Sequence, residues 1–183
     1  MDNGASSYRR FLDGDESAFD EIMKELFDNL VFFIDQYVHD IHAAEDIAID
    51  AFSDLVVNKH RYNFKVTLKT YLFMLGRSRA LNYIKHGKVI DFVELDEAEN
   101  TSSDQKTLEE IVLGNQRKIV VNDAIAALPG EMREVVHLIY IEDLSYEEAA
   151  KVMKKNRKQV DNLLYRAKKE LRIILGKDGE LLL

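Results

Sequence analysis

Apolar residues recur at helical spacing through the first half of the chain. One stripe predicts an amphipathic helix over residues 19–37, formed by Phe19, Ile22, Met23, Leu26, Leu30, Phe33, Ile34 and Tyr37. A second stripe predicts another helix over residues 44–55, formed by Ala44, Ile47, Ala48, Ala51, Phe52 and Leu55. After a short polar stretch, Thr67 can cap a third helix, which we expect to end at His86 and Gly87.

The second half shows the same helical spacing, with clear signals at the helix ends. The spacing resumes at Leu108, and we expect Pro129 to open a helix at its first position, where a missing N–H costs nothing. Ser145 and Glu148 form a capping box, the reciprocal pairing typical of a helix N-terminus. Asn156 can cap the helix that follows.

These patterns together define a fold class. No segment of the sequence shows the sustained alternation of a β-strand, and 46% of the residues are hydrophobic, which is enough for a packed core. An acidic, polar run separates the two sets of helices and predicts a flexible linker. We therefore predict an all-α protein of two small helical domains, residues 1–88 and 108–183, joined by a flexible acidic linker over residues 89–107.

The distribution of charge changes what the net charge implies. The 183 residues carry a net charge of −8, which by itself opposes nucleic-acid binding. Residues 56–88, however, contain eight basic residues and no acidic one, and residues 145–172 contain nine basic residues and four acidic ones. Attraction to phosphate acts locally, so two basic segments can bind nucleic acid in an acidic chain. An ordinary solvated basic face is the alternative.

Other features exclude several classes of protein. The chain has no cysteine, so disulfides and thiolate metal sites are excluded. The N-terminus lacks the pattern of a signal peptide, no apolar run reaches membrane-spanning length, and we expect a cytoplasmic protein. His39 and His42 lie near carboxylates but lack a defined ligand set, so no metal site and no cofactor are expected. No catalytic constellation stands out, and the chain is not expected to be an enzyme.

The segment from Leu144 onward predicts a helix-turn-helix: a short helix, a tight turn and a longer basic helix that can enter the major groove. The buried stripe of the longer helix is expected to be Val160, Leu163, Leu164, Ala167 and Leu171. Gln159, Asn162 and Arg166 carry the amide and guanidinium groups that read base edges. The basic side chains around them, Arg157, Lys158, Arg166, Lys168 and Lys169, can neutralise phosphates. A solvated helical hairpin with a basic face is the alternative.

Short blocks of sequence carry a resemblance to a known family. They are Ala127-Leu128-Pro129, Arg133-Glu134-Val135, residues 144–150 and residues 165–171, which resemble region four of extracytoplasmic-function sigma factors in order and spacing. In the first half, residues 44–47 with Asp50 and Phe52 resemble the region-two helix that docks on the polymerase clamp. Tyr71-Leu72, Leu75-Gly76-Arg77 and residues 82–85 resemble its partner helix near the minus-10 element.

The resemblance implies a role in transcription initiation, with core RNA polymerase and both duplex and melted promoter DNA as partners, and an anti-sigma factor as a regulator. It implies a minus-35 surface of Arg157, Lys158, Gln159, Asp161, Asn162, Tyr165, Arg166 and Lys169. It implies a minus-10 surface of Asn58, Lys59, Arg61, Tyr62, Asn63, Lys65, Tyr71, Arg77, Asn82 and Lys85, in which Tyr62 is expected to stack on bases. The clamp contact is expected at Asp46, Ile49, Asp50 and Ser53.

Some alternatives stay open at this point. Tyr71 can be a stacking surface or a core residue, and Ile49 stands where the family usually has Gln, as an apolar residue on an acidic face. The whole chain can instead be a classical helix-turn-helix regulator with an N-terminal sensor or dimerisation domain. In a third alternative it is an adaptor that binds only proteins.

Overall fold

The computed structural model describes residues 4–91 and 114–176. The N-terminal half (residues 4–91) contains α1 (Ala5–Leu12), α2 (Ser17–Val38), α3 (Ile41–Val57), a short 3-10 helix (Lys59–Arg61) and α4 (Leu68–Asp91). The C-terminal half (residues 114–176) contains α5 (Gly114–Ala126), α6 (Gly130–Val136), a π-helical turn (His137–Ile141), α7 (Tyr146–Met153) and α8 (Arg157–Leu175). The described part of the chain contains no strand, in agreement with the predicted all-α fold.

The predicted stripes form the core of the N-terminal half. All six stripe residues of α3 are buried, whereas Ile49 on the opposite side is 51% exposed, which confirms the predicted helical register. Helix α4 packs closely on α2 at Gly76, where a Cβ atom would lie 2.8 Å from the Leu30 side chain and 3.1 Å from that of Ile34. A larger residue at this crossing would require the ends of the Leu30 and Ile34 side chains to shift. Helix α4, which carries basic residues, therefore packs closely against the core.

Helix ends follow the predicted caps with two differences. The Thr67 hydroxyl accepts a hydrogen bond from the backbone N–H of Thr70 at 3.2 Å, as expected of the residue that caps α4. The predicted end of α4 is wrong, because the helix continues past Gly87 to Asp91. An exposed glycine lowers helix propensity but does not by itself break the hydrogen-bond ladder. Pro129 precedes the first helical position of α6, and its carbonyl accepts from Met132 and Arg133.

Part of the predicted organisation lies outside the described residues. Most of the predicted linker, from residue 92 onward, is outside them, as are the predicted apolar positions Leu108, Ile111 and Val112. None of the helices within residues 4–91 and 114–176 is long and apolar enough to cross a membrane.

The two halves contact each other, mainly through α4 and α7. Several polar and charged pairs lie at this boundary. Arg77 pairs with Glu134, Lys69 with Glu142, and Gln36 with His137. The apolar part of the boundary includes Phe33, whose ring centroid lies 5.6 Å from that of His137.

Candidate nucleic-acid interfaces

The helix-turn-helix is held by two capping boxes. At the start of α7 the Ser145 hydroxyl accepts from the N–H of Glu148, and the Glu148 carboxylate accepts from the N–H of Ser145. At the start of α8, Asn156 and Gln159 make the same reciprocal pair, with both hydrogen bonds at 2.9 Å. Between the helices, Lys154 adopts a left-handed conformation with φ of 53°, a role that glycine often fills. The capping boxes at the starts of α7 and α8 thus define the turn between these helices, although the turn contains no glycine.

Helix α8 separates an apolar face from a polar one. Val160, Leu164, Ala167 and Leu171 are buried, and Leu163 is half-buried, as predicted. The residues assigned to the minus-35 surface all lie on the exposed side: Arg157, Lys158, Gln159, Asp161, Asn162, Tyr165, Arg166 and Lys169. Tyr165 is 72% exposed. The Gln159 side-chain oxygen already accepts from the backbone N–H of Asn156, which leaves one lone pair of that oxygen and the amide nitrogen for a base edge.

The segment after α3 differs from expectation at Tyr62. This residue is only 4% exposed, its hydroxyl donates to the carbonyl of Val66 at 2.8 Å, and its ring packs against Tyr8, Phe64 and Tyr71. Tyr62 therefore belongs to the core and is not an exposed stacking surface, which corrects the expected role. Helical periodicity could not find this, because Tyr62 lies outside any regular helix.

An open groove of 390 Å³ lies beside this aromatic cluster and gathers residues from both halves. Its lining includes Arg9, Lys65 and Lys151 together with the ring of Phe64. The Arg9 guanidinium lies 4.9 Å from the centroid of the Phe64 ring. Sequence analysis did not select Arg9 or Phe64, because Arg9 lies in the acidic N-terminal segment and Phe64 in a polar loop. A φ of 60° at Phe64, uncommon for a bulky residue, turns this loop.

The other residues assigned to the minus-10 surface divide into two groups. Exposed members are Lys59, Arg61, Asn63, Lys65, Asn82 and Lys85. The remaining members already have partners: the Asn58 amide donates to Asp54, half-buried Tyr71 packs on Tyr62, and Arg77 pairs with Glu134. The Tyr71 ring is thus partly a core element. The structure does not gather the ten residues into one open surface.

Acidic groups of α3 neutralise part of the basic segment. Asp54 pairs with Arg79 and lies 3.8 Å from Arg61. Burial raises the pKa of Asp54, but the hydrogen bonds from Arg79 and Asn58 outweigh burial and leave that pKa below its ordinary value. Asp54 is therefore an anion that offsets the charge of Arg79 and Arg61. The remaining positive charge of this segment lies on the neighbouring lysines.

The face of α3 assigned to the polymerase is open. Asp46, Ile49, Asp50 and Ser53 are all exposed. Asp50 lies 3.7 Å from Arg79, so its carboxylate is held near the α4 side of this face. The arrangement is an exposed apolar side chain surrounded by polar ones.

Two carboxylates, Glu142 and Glu148, accept hydrogen bonds where the halves meet. Glu142 is 3% exposed, and its carboxylate contacts the Lys69 ammonium at 2.9 Å and the His137 Nε2 at 3.1 Å. Burial raises the pKa of Glu142, but the hydrogen bonds from His137 and Lys69 outweigh it, and the net shift is downward. One oxygen of Glu148 caps α7, while the other accepts from the hydroxyls of Thr67 and Thr70 at 3.1 Å. Burial raises the pKa of Glu148, and these hydrogen bonds lower it to a net value below the ordinary one.

Comparisons of the sequence with known proteins agree with this geometry. A family model described as Sigma-70, region 4 matches residues 119–171. The chain is 24% identical over 165 residues to the ECF RNA polymerase sigma factor SigM of Bacillus subtilis (strain 168), an alignment that covers 86% of this chain and 95% of SigM. It is 25% identical over 166 residues to the RNA polymerase sigma-H factor of Pseudomonas aeruginosa, covering 86% of each chain.

Solved structures show the same fold. The sigma factor RpoE of Bartonella quintana, in complex with the anti-sigma factor NepR, superposes with a TM-score of 0.67 at 20% identity, covering 87% of this chain and 98% of RpoE. CnrH in complex with the cytosolic domain of CnrY superposes with a TM-score of 0.66 at 16% identity, covering 97% of this chain and 99% of CnrH.

Proposed function

We propose that the chain belongs to the extracytoplasmic-function group of the sigma-70 family, and that it directs core RNA polymerase to promoters and initiates transcription there. The observation that supports this most strongly is α8, whose polar face is fully exposed while its apolar face is anchored in the C-terminal half. We assign residues 1–88 to region two and residues 108–183 to region four. The protein itself makes no bonds, and it acts in the cytoplasm, where polymerase and promoter DNA are present.

The C-terminal half binds the minus-35 element as duplex DNA. Helix α8 enters the major groove, where Asn162 and Arg166 read base edges. Arg157, Lys158 and Lys169 contact phosphates and set the position of the helix on the duplex. Their exposure along one side of α8 supports this role, because a helix can bring only one face to a groove.

The N-terminal half binds the minus-10 element and holds the melted strand. The exposed residues Lys59, Arg61 and Lys65 follow α3 closely and supply positive charge for the phosphate backbone. Because Tyr62 is buried, the half-buried ring of Phe64 beside Arg9 replaces it as our candidate for stacking on a base. Asn82 and Lys85 extend the surface along α4.

Core polymerase binds the α3 face. An exposed isoleucine within a polar rim matches the usual anatomy of an interface hot spot, in which a central apolar group is surrounded by polar contacts. We also propose an anti-sigma factor as a regulator, since RpoE of Bartonella quintana, which shares the fold, was solved in complex with one.

Run-off transcription with purified core polymerase tests the proposal. The template is the DNA upstream of the protein's own coding sequence, and the expected result is a discrete transcript only when the chain is added. The matched control is the Asn162→Ala, Arg166→Ala double variant, which should bind core polymerase normally but give little transcript. Duplex binding by the chain alone, without any transcript, would support a classical helix-turn-helix regulator instead. Absence of DNA binding even with polymerase would support an adaptor.

A further inference from the structure

Helix α8 carries one carboxylate on a surface that is otherwise basic or neutral. Asp161 is exposed, and it is the single acidic residue among the eight that we assign to the minus-35 element. Within the part of the chain that the structure describes, its carboxylate has neither an ion pair nor a side-chain hydrogen bond. We propose that Asp161 is a specificity-determining residue, whose carboxylate accepts a hydrogen bond from the exocyclic amine of a cytosine in the minus-35 element.

Asp161 lies beside a cleft between the two helices of the helix-turn-helix. This open cleft of 610 Å³ is lined by Tyr146 of α7 and by Arg157, Lys158 and Asp161 of α8. Along α8, Asp161 lies one turn before the exposed Tyr165, while Asn162 and Arg166 form a neighbouring row. Neighbouring rows on a helix in the major groove reach different bases. Asp161 can therefore read a base that the row of Asn162 and Arg166 does not.

A carboxylate at this place opposes DNA binding unless it meets a hydrogen-bond donor. The phosphates of a bound duplex are anions, so their interaction with Asp161 is repulsive. Arg157, one turn earlier on α8, pairs instead with Glu147 of α7 at 3.1 Å. A donor that compensates the repulsion therefore has to come from the DNA bases.

The hydrogen-bond pattern of the major groove decides which base such a carboxylate selects. Carboxylate oxygens only accept hydrogen bonds. Cytosine presents its N4 amine as a donor, whereas guanine presents N7 and O6, and thymine presents O4, all of which are acceptors. Adenine presents a donor at N6 beside an acceptor at N7, so it suits an amide better than a carboxylate. The expected preference of Asp161 is cytosine first, adenine second, and guanine and thymine last.

Rejection of the wrong bases is part of this selectivity. A guanine or thymine opposite Asp161 would place acceptor against acceptor, and the carboxylate would lose its water without gaining a hydrogen bond. A single well-placed contact of this kind discriminates between bases by about ten-fold. This inference rests on the proposed function, because it names the base that one residue of the minus-35 surface reads.

Sequencing of the DNA that the holoenzyme selects tests the assignment. The full chain with core polymerase is incubated with a duplex pool in which the minus-35 region upstream of its own coding sequence is randomised. With the unsubstituted protein, one position should be enriched in cytosine by about ten-fold over guanine or thymine. Asp161→Asn keeps the shape of the side chain and adds an amide donor. Its cytosine preference at that position should be lost, and adenine should become the enriched base there.

Glu170→Gln is the matched control, since Glu170 is the other acidic residue of α8 and lies half-buried outside the assigned surface. It removes the same charge and should leave every base preference unchanged. An Asp161→Asn protein with unchanged preferences, or one that binds all sequences more tightly by the same factor, would overturn the assignment. A selected minus-35 sequence without a cytosine position would also overturn it and leave the proposed function intact. If the unsubstituted holoenzyme selected no sequence at all, the proposed function would fail and the assignment with it.

Discussion

The two candidate DNA surfaces differ in how far other parts of the protein cover them. On α8, all eight assigned residues are exposed to solvent, and this helix packs mainly on α5, α6 and α7 of its own half. In the N-terminal half, Tyr62 is buried in an aromatic cluster and Arg77 is held by a glutamate from the other half. The first surface is set by local amphipathicity, whereas the second depends on which tertiary partner covers it. Residue type and spacing therefore predict the exposure of the α8 residues well and the exposure of the N-terminal residues poorly.

The α3 face resembles α8 in that all of its assigned residues are exposed, and it provides the largest effect expected from a single substitution. Replacing the 51% exposed Ile49 with aspartate should leave helicity and melting temperature nearly unchanged, because about half of the side chain is already in contact with water. Binding to core polymerase should weaken by about 2 kcal/mol or more, the usual cost of losing a hot spot. Fluorescence titration with core polymerase measures the change in affinity.

Ile173→Asp is the matched control for this change. Ile173 is 66% exposed on α8, so its replacement introduces the same charge at an exposed apolar position outside the proposed clamp contact. The control should bind polymerase with normal affinity. An Ile49→Asp protein that is stable and also binds normally would remove the α3 face from the interface.

How well the sequence predicts a contact depends on how far apart the two residues lie along the chain. Helical stripes and caps depend on residues three to four positions apart, so the register of α3 and both capping boxes were predictable. Glu148 shows the limit. Its capping oxygen was predicted from Ser145, but its second oxygen bonds Thr67 and Thr70, about 80 residues away in sequence. No local pattern contains that information, and the same is true of Tyr62 and Arg77.

Substitutions on α8 sharpen the contrast by separating base reading from phosphate binding. Arg166→Ala should cost about 1–3 kcal/mol on the preferred minus-35 sequence and relax discrimination there. Lys169→Ala, one turn further along the same exposed side, should weaken all sequences about equally and reduce the salt dependence of binding. Binding of holoenzyme to a panel of minus-35 variants at two salt concentrations distinguishes these outcomes. An Arg166→Ala protein with full discrimination would refute the base-reading role of this residue.

Removing one helix cap in each half compares how much the two caps contribute to the free energy of unfolding. Asn156→Ala removes a cap whose contacts are all local, so it should lower the free energy of unfolding by about 1 kcal/mol. Thr67→Ala removes the cap of α4 and also a hydrogen bond to Glu148, so a loss of about 2 kcal/mol is expected. Urea denaturation of both variants measures the difference.

The smallest expected effect is that of low pH on the contact between the two halves. The pKa values of Glu142 and Glu148 lie below their ordinary value because hydrogen bonds across and beside the boundary outweigh the effect of burial. A carboxyl whose folded pKa is depressed contributes stability above its unfolded pKa and loses that contribution as the pH falls through the folded value. Because the chain has no cysteine, fluorophores can be attached to cysteines introduced at exposed Asn29 and Asn122, one in each half. Energy transfer between these fluorophores should therefore stay constant from pH 7 down to about 5 and fall only in more acidic solution. Circular dichroism in parallel separates opening of the boundary from unfolding of the helices, and Glu142→Gln should show a smaller acid-dependent change. Opening between pH 7 and 6 would contradict control of the boundary by these carboxylates, because both remain ionised in that range.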